Sequence, residues 1–402
     1  MIDFLKEAKQ NRDYIIALRR DFHSHPDLSL KEYRTSERIE AELEKFGIKH
    51  IRVSETGVVG ILEGGIPSSN TVALRADIDA LPIEEVQGRT YGSKNKGIMH
   101  ACGHDGHTAM LLGAAKILSK HKEGLKGTVR FLFQPAEEIG AGGKIFMAKK
   151  SETLGAAERI LGIHCAPDMC TGTVGIKSGI NNASVDHFTI KIKGKASHVC
   201  NPEKGVDALY IASQIVVALQ GIVSRMTSPV EPVVIGVGKL SAGVAYNVVA
   251  GSAEIEGTTR NVSVENRKRV NDLLEKTAKS IADMYGGKAV VEWEDFAAVL
   301  DNPVEATDEA IRVVGEILGK EHIKTDRQIF LSGDDFCEYQ KEIEGVYVYL
   351  GTGSSKVKGS KNPYHSFDFD IDEDALEIGT AIYAAYAKWA LDKDKLKENF
   401  HE

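Results

Sequence analysis

A group of side chains able to bind metal ions lies within eight consecutive positions of the sequence. Residues 100–107 read His-Ala-Cys-Gly-His-Asp-Gly-His and supply one thiol, three imidazoles and a carboxylate. The paired carboxylates Glu137 and Glu138, and then His164 and His365, follow apolar, strand-like runs farther along the chain. Side chains of these types suit Zn²⁺, Co²⁺, Mn²⁺ or Ni²⁺ better than Ca²⁺ or Mg²⁺. Five such ligands at strand ends, with one carboxylate to spare, are what a hydrolytic site with two metal ions requires.

The two adjacent glutamates favour a division of roles. If Glu138 binds metal, the neighbouring Glu137 stays free to act as a general base that passes a proton from water to a leaving amine. A Glu-Glu pair is most often a solvated surface pair, but the apolar strand before it and Pro135 in the turn favour the catalytic interpretation. Two ions about 3.5–4 Å apart polarise a carbonyl and lower the pKa of a bound water toward about 7, and a thiolate such as that of Cys102 is able to bridge them.

Residues close to these motifs are predicted to support them. Cys102 and His104 alternate, so both side chains can point to the same side of a short extended or looped segment. Asp77 and Asp79, in the segment RADIDALP, are predicted to orient imidazole N–H donors, with turn capping as the alternative. His107 is predicted to begin the following helix and to serve structure.

Composition limits the classes of protein to consider. At 402 residues the chain is longer than one hydrophobic core usually serves, so we expect about two domains. The net charge of −8, without any Lys/Arg block, argues against nucleic acid as a partner. No apolar run approaches the ~20 residues needed to span a bilayer. We therefore expect a protein with neither nucleic acid nor membrane as its partner.

The cysteines indicate a reducing compartment. They number five, which is odd, and no pair has C-x-x-C spacing. Neither a disulfide framework nor a zinc ribbon is predicted. The first residues mix charges into every turn, so a signal peptide is not expected. A cytoplasmic location is the resulting prediction.

The elements that must position the candidate ligands alternate between strand and helix. Strands are predicted at residues 58–62, 71–75, 128–133 and 159–163, with a helix at 108–118 between the second and third. Such alternation predicts an α/β sheet covered by helices. Glu137, Glu138 and His164 follow the carboxyl ends of two of these strands, and in open α/β sheets ligands bind beyond those ends. Residues distant in sequence are thereby predicted to meet in one crevice.

The texture of the sequence changes near residue 180. From there to about residue 296 the predicted order is strand-helix-strand-strand-helix-strand, which is the ferredoxin-like order. We therefore predict a mixed α/β domain formed by residues 1–180 and 297–402, with an α+β domain of residues 181–296 inserted into it.

With these motifs assembled, the sequence resembles a family of dinuclear metallo-amidohydrolases nearly from end to end. That family includes hippurate hydrolases, auxin-conjugate hydrolases and N-acyl-amino-acid deacylases, and it is related to aminoacylase and glutamate carboxypeptidases. The segments that carry the resemblance are FHSHPDLSLKEYRTS, LRADIDALPI, MHACGHDGHTAMLLGAA, FQPAEE, GIH, GVDAL, GTTR, SGDDF and HSFDFDIDEDAL. Of these MHACGHDGH is highly specific, whereas GVDAL or GTTR alone would be weak.

The resemblance implies a role for each candidate residue. Two divalent ions, of Zn, Mn, Co or Ni, would be bound by Cys102, His104, Glu138, His164 and His365. Glu137 would be the catalytic acid/base for hydrolysis of the amide bond of an N-acyl amino acid, with release of a carboxylate and a free amino acid.

The resemblance also implies that the inserted domain is a lid that forms a homodimer. His198 matches the lid histidine that steadies the scissile carbonyl oxygen, often from the partner subunit. Asn247 and Arg260 match positions that hold the polar end of the substrate, and an Arg fork suits a carboxylate. Gly333 matches a position whose backbone lies against the substrate.

Three alternatives remain open at this point. A narrower one is deacetylation of N-acetyl-diaminopimelate in lysine biosynthesis, which members of the same subfamily perform. A protein that kept the fold and lost catalysis would usually lack a ligand or the base, and here all six positions are filled. A Cys102 nucleophile paired with His104 would leave the glutamates, His164 and His365 without a role, and resistance to chelators would be its signature.

Overall fold

The computed structural model describes residues 2–393, which divide into two units. The first unit is made of the described residues up to Gly179, of Asp301–Gln328, and of those from Asp335 onward. The second unit is made of Ile180–Leu300 and Ile329–Asp334. Gly333 therefore belongs to the second unit.

Helices and strands are numbered along the chain. The helices are α1 (Phe4–Gln10), α2 (Arg12–Ser24), α3 (Tyr33–Lys45), α4 (His104–Lys120), α5 (Gly142–Met147), α6 (Lys150–Thr153), α7 (Ala208–Gly221), α8 (Val264–Met284), α9 (Val304–Leu318), α10 (Cys337–Gln340) and α11 (Leu376–Leu391). The strands are β1 (Lys49–Val53), β2 (Gly57–Glu63), β3 (Ile66–Asp77), β4 (Lys126–Gln134), β5 (Arg159–Cys170), β6 (Val174–Gly175), β7 (Gly179–Asn182), β8 (Ser184–Lys193), β9 (Val233–Ala242), β10 (Ser252–Asn261), β11 (Lys288–Ala297), β12 (Leu300–Asn302), β13 (Ile323–Lys324) and β14 (Glu344–Gly353).

The first unit contains an eight-stranded mixed sheet in the order β1-β2-β4-β3-β5-β14-β6-β13. Its four adjacent strands β4, β3, β5 and β14 run parallel, while β1 and β2 are antiparallel additions at one side. In the register of β3 and β4, Asp77 lies opposite Gln134, so both strands end at the same level. Residues that follow these two strands therefore emerge at one edge of the sheet.

Helix packing on this sheet follows from apolar patterning. In α2 the apolar Ile15, Leu18 and Phe22 recur at helical spacing and are all buried. Helix α4 is apolar nearly all round and is buried along most of its length, with α2 and α11 packed against it. Because α4 begins directly beside the ends of the parallel strands, its first turn is fixed by the core of the first unit.

The second unit has the order β8-α7-β9-β10-α8-β11, with a four-stranded antiparallel sheet arranged β11-β8-β10-β9. Both helices pack against this sheet. Its separate apolar core includes Phe188, Ile190, Ile215, Ile255 and Leu274. The strand-helix-strand-strand-helix-strand order is that of ferredoxin-like folds.

One helical segment in the described part of the chain, 208–226, meets the length and composition of a membrane span, with a mean hydropathy of 1.4. Polar residues such as Ser213 and Gln214 interrupt its apolar run, which is why the sequence did not indicate it. Within the second unit the segment contributes buried Ile211, Ile215 and Leu219 to the core.

The predicted fold class, a helix-covered mixed α/β sheet, is confirmed by the eight-stranded sheet and its helices. One boundary differs near the candidate ligands. The helix expected to begin at residue 108 begins at His104, since Gly103, with φ 97°, takes the left-handed conformation that ends the preceding loop. His104 therefore lies in the first turn of a helix, and Cys102 lies in the loop before it.

Candidate metal centre

The turn after β4 carries the two predicted glutamates. It begins at Pro135, and Ala136 then adopts a left-handed backbone with φ 57°. The carbonyl of Ala136 accepts hydrogen bonds from the N–H groups of Ala141 and Gly142, both at 3.1 Å, so the turn closes on itself. Glu137, which is 6% exposed, and Glu138 are carried by this closed turn at the end of the strand.

The thiol and imidazoles reach the same edge from other elements. His104 lies at the start of α4 and is fully buried, and His164 lies within β5. The Cys102 Sγ atom is 3.6 Å from Nε2 of His164. His365 comes from a loop in which its own N–H donates to the Ala101 carbonyl at 2.8 Å. Four segments of the first unit thus converge on one place.

Distances between donor atoms show how closely these side chains meet. Nε2 of His365 is 3.3 Å from one carboxylate oxygen of Glu138, and Nε2 of His104 is 3.9 Å from the other. Nε2 of His104 is also 4.0 Å from the carboxylate of Glu137. Among the predicted ligands and Glu137, three groups have ligand atoms that all lie within 4.8 Å of one another: Cys102 with His104 and His164, Cys102 with Glu138 and His365, and His104 with Glu137 and Glu138. Cys102, His104 and Glu138 each belong to two of these groups, so these three side chains link the groups into one cluster.

Two buried polar atoms at the candidate metal centre indicate that its ligand is a cation. Nε2 of His104 and Oε1 of Glu138 are both inaccessible to water and have no hydrogen-bond partner. Buried nitrogen and oxygen atoms left without partners carry a desolvation cost of about 1–3 kcal/mol each. A divalent cation would satisfy both atoms, and the surrounding thiol, imidazoles and carboxylates are its usual donors. The donor set therefore fits the expected metal ions.

The predicted supporting aspartates contact the imidazoles as expected of residues that orient ligands. The Nδ1–H of His104 donates to the backbone carbonyl of Asp79 at 2.9 Å and lies 3.2 Å from its carboxylate. Nε2 of His104 is thereby the nitrogen that faces the centre, and on loss of its proton it would bind a metal ion. Asp77 accepts from Nδ1 of His107 at 2.5 Å, while Nε2 of His107 accepts from the N–H of Cys165 at 2.8 Å. Both ring nitrogens of His107 are used, so this histidine connects the strands and is not free to bind metal.

Electrostatics at the centre favour positive charge. Burial alone would lower the pKa of His104, but the carboxylates of Asp77, Asp79 and Glu138 outweigh it and raise that pKa to about 10. Burial, with the nearby His107, holds the pKa of His164 well below its usual value. Carboxylates that favour a proton on His104 in the metal-free protein would equally favour a divalent cation. Binding of the cation would displace that proton.

A buried ionic network that the sequence did not predict contacts the first turn of α4. Asp105, next to His104, accepts from Nε of Arg19 and lies 2.8 Å from Nδ1 of His23, while Nε2 of His23 is 2.9 Å from Glu85. All four side chains are buried. The signal in the sequence was the periodicity of α2, which places Arg19 and His23 on the same face as its buried apolar residues. These contacts hold the first turn of α4 in place.

The remaining predicted residues lie in the second unit. His198 and Asn247 are on neighbouring exposed loops: His198 pairs with Val248 in an isolated bridge, and the Asn247 carbonyl accepts from the N–H of Val199 at 3.1 Å. Arg260 lies in β10 and donates to the carbonyl of Leu331 at 3.3 Å. It is thereby joined to the short segment, residues 329–334, that contains Gly333. Within this unit, the loop of His198 thus contacts the loop of Asn247, and Arg260 contacts the segment that contains Gly333.

Gly333 has no room for a side chain. A Cβ atom there would lie 2.7 Å from the side chain of Val185 and 3.0 Å from Ala297, both in strands of the second unit. The glycine allows its backbone to lie directly against those strands.

Comparison with known proteins gives consistent results. A sequence model described as peptidase family M20/M25/M40 matches residues 73–389. N-acetylcysteine deacetylase of Bacillus subtilis (strain 168) is 37% identical over 383 residues, which are 95% of this chain and 98% of that protein. Thermostable carboxypeptidase 2 of Saccharolobus solfataricus is 36% identical over 394 residues, 96% of this chain and 98% of that protein. A crystal structure of a Bacillus subtilis protein, described as a dinuclear metal binding peptidase from the M20 family, is 34% identical with a TM-score of 0.80, covering 96% and 99% of the two chains.

Proposed function

Because the chain belongs to peptidase family M20/M25/M40, we propose that it hydrolyses the amide bond of N-acyl amino acids, releasing a carboxylate and a free amino acid. The observation that carries the proposal is the convergence of a thiol, imidazoles and two carboxylates around buried donor atoms without partners. The named relatives, an N-acetylcysteine deacetylase and a carboxypeptidase, both imply an amide whose nitrogen belongs to an amino acid with a free carboxylate.

Two divalent metal ions are the cofactors of this reaction. The residues that would hold them are Cys102, His104, Glu138, His164 and His365. When bound, the ions would polarise the scissile carbonyl and lower the pKa of an attacking water toward about 7. Zn²⁺, Mn²⁺, Co²⁺ and Ni²⁺ all suit such donors.

Glu137 moves the proton. Its carboxylate, beside His104 and not needed as a ligand, takes a proton from water as the water oxygen bonds to the acyl carbon. When the C–N bond breaks, the same carboxyl delivers that proton to the amine nitrogen. The low exposure of Glu137 keeps bulk water from competing for the proton.

The second unit is the proposed lid. His198, of the same subunit or of the partner subunit, would donate a hydrogen bond to the developing oxyanion of the acyl group. Arg260, supported by Asn247, would pair with the carboxylate of the amino acid, for which a guanidinium fork is suited. The backbone of Gly333 would lie along the substrate. These roles rest on the motifs in which the four residues occur.

A cytoplasmic homodimer is the proposed state of the enzyme. Most of the large apolar side chains that are exposed in the described chain belong to the second unit, among them Val217, Val230, Val244 and Tyr246. Exposed apolar area of this kind is typical of surfaces that associate. None of the five cysteines, all of which lie in the described part of the chain, forms a disulfide, which suits a reducing compartment.

A substrate panel tests the proposed reaction. Amine release would be measured from N-acetyl and N-benzoyl amino acids, with the corresponding ethyl esters of the amino acids as matched controls. We expect release from the free acids, loss of release when a chelator is added, and weak release from the esters because they lack the carboxylate. Chelator-resistant release would contradict the proposal and would favour Cys102 as a nucleophile.

A further inference from the structure

Glu32, at the start of α3, contacts the turn that carries the two glutamates of the metal centre. Its side chain is fully buried. One carboxylate oxygen, Oε1, accepts a hydrogen bond from the N–H of Ala136 at 2.9 Å and a second from the N–H of Leu30 at 3.0 Å. Ala136 directly precedes Glu137, so a buried carboxylate from another element holds the backbone one residue before the proposed general base.

Both backbone groups that Glu32 holds are in an unfavourable conformation. Leu30 has φ 63° and Ala136 has φ 57°, in the left-handed region that costs a residue with a Cβ about 1–2 kcal/mol. Such conformations persist where the surrounding structure enforces them. A single oxygen of Glu32 accepts from both residues, and it therefore stabilises two left-handed residues at once.

The other end of the glutamate pair is held by a second carboxylate. The N–H of Glu138 donates to Oδ2 of Asp79 at 3.0 Å, and the hydroxyl of Ser29 donates to the same oxygen at 2.7 Å. Glu137 is thus bracketed: Glu32 holds the residue before it, and Asp79 holds the residue after it. The segment around Ser29 and Glu32 acts as a clamp on this turn.

We propose that Glu32 is a positioning residue for hydrolysis, fixing the turn so that Glu137 and Glu138 point to the metal centre. The inference rests on the proposed function and deepens it. Glu32 would not touch substrate, metal or the reacting atoms. It would act through the backbone of Ala136.

The protonation of Glu32 suggests how to test its role as an acceptor. Burial, with repulsion from Asp79, raises the pKa of Glu32 to about 7. Near neutral pH a large share of the molecules therefore carry the uncharged acid. A glutamine keeps an acceptor oxygen at the same reach and is uncharged, so Glu32→Gln preserves the two hydrogen bonds. Glu32→Leu fills the same space and removes the acceptor.

The matched control is a second buried carboxylate on the same helix. Glu42 is 1% exposed and contacts Tyr14, Arg38 and Lys45, which are remote from the turn. Glu42→Leu removes a buried carboxylate from α3 without changing the hold on Ala136. Any effect of Glu32→Leu that Glu42→Leu does not share is thereby assigned to the turn.

The experiment measures kcat and KM on an N-acetyl amino acid and, separately, the affinity for Co²⁺ from its absorption bands. A misplacement of about 1 Å costs around 10²-fold in rate, so we expect kcat of Glu32→Leu to fall by about that factor with KM little changed. Co²⁺ binding should weaken about tenfold, as when residues that orient metal ligands are lost. Glu32→Gln should stay within about threefold of wild type, because the acceptor remains.

Glu42→Leu should lower the melting temperature while leaving kcat and Co²⁺ affinity unchanged. Wild-type kcat and Co²⁺ affinity in Glu32→Leu would overturn the proposal, and so would equal losses in Glu32→Gln and Glu32→Leu. If Glu32→Leu fails to fold, Glu32→Asp decides in its place: its shorter side chain cannot reach both N–H groups and should also lower kcat at least tenfold. If the wild type hydrolyses no N-acyl amino acid, the proposed function fails, and the Co²⁺ affinities still test the clamp.

Discussion

Left-handed backbone at residues other than glycine is concentrated around the metal centre. In the described part of the chain these residues are Leu30, Ser54, Ala136 and His365. His365 is a proposed ligand, Ala136 precedes the proposed base, and Leu30 shares an acceptor with Ala136. Strain of this kind is kept where surrounding contacts over-determine it, commonly at functional sites. The backbone that presents the reactive side chains is therefore held by contacts and not by local preference.

The first prediction at this scale concerns Glu137. Glu137→Gln removes the proton acceptor and keeps the size of the side chain, so kcat should fall by about 10²–10⁴-fold. Metal content should not change, since Glu138 and not Glu137 is the proposed ligand. Steady-state kinetics with elemental analysis of the same samples would show this, with the exposed Glu63→Gln as the control. A fully active Glu137→Gln protein would remove the base from the mechanism.

The second concerns the pH dependence of stability. The pKa of Glu32 is raised to about 7 from 4.5, so the folded protein binds this proton more tightly than the unfolded chain. Ionisation of Glu32 therefore lowers the free energy of unfolding progressively as pH rises from about 4.5 to about 7, by up to roughly 3 kcal/mol. Glutamine does not ionise, so the Glu32→Gln protein does not lose this free energy. Its free energy of unfolding minus that of the wild type should therefore increase over the same pH range.

Urea unfolding of the metal-free proteins between pH 5 and pH 8 measures the difference. Charges that face Glu32, chiefly that of Asp79, are the same in both proteins. A stability difference that does not vary with pH would show that the Glu32 pKa is not raised.

At the scale of elements, the turn between β4 and α5 is the feature most sensitive to change. A Cβ added at Gly142 would lie 1.7 Å from the Pro135 carbonyl, whereas one added at Gly124 meets nothing within 4 Å. Gly142→Ala should therefore displace the turn that carries Glu137 and Glu138. We expect it to lower kcat by about 10²-fold or more, as misplaced catalytic groups do, while Gly124→Ala stays active.

Kinetics and melting temperatures of these two variants would be compared directly. An active Gly142→Ala protein would mean that the turn tolerates movement and does not position the glutamates.

Sequence patterns predicted ligands for the candidate site but not the contacts that position them. Strand ends and ligand chemistry predicted that Glu138 and His164 would lie at one edge of the sheet, because parallel strands end together. In the structure Cys102 and His104 each share a group of close ligand atoms with both residues. The sequence did not indicate that α4 begins at His104, since His-Asp-Gly-His has no apolar periodicity. The roles of Arg19 and Glu32 were missed for a different reason. A charged residue that is buried by partners from distant segments looks, in sequence, like a surface charge.

For the whole molecule, the second unit is the proposed surface for association. β9 is an edge strand that carries the exposed Val234 and Leu240, and α7, whose Val217 is 71% exposed, packs against β9 and β10. An unpaired edge strand next to exposed apolar residues is prone to pair with another chain. Val217→Lys should shift the protein from dimer to monomer.

Sedimentation equilibrium would report the change. The control is Val290→Lys on β11, the opposite edge of the same sheet, where Val290 is 56% exposed. It should leave the dimer intact. A wild-type monomer, or a Val217→Lys protein that stays dimeric, would place association elsewhere.

If this chain is a hydrolase with two metal ions, a metal titration of the metal-free protein should show it. Metal-free protein would be titrated with Zn²⁺, Mn²⁺, Co²⁺ or Ni²⁺, with bound metal and hydrolysis of an N-acetyl amino acid measured at each step. We predict that binding ends near two ions per chain and that hydrolysis rises with binding and is lost on chelation. Hydrolysis by the metal-free protein, or stoichiometric binding of two ions with no hydrolysis of any N-acyl amino acid, would contradict the claim.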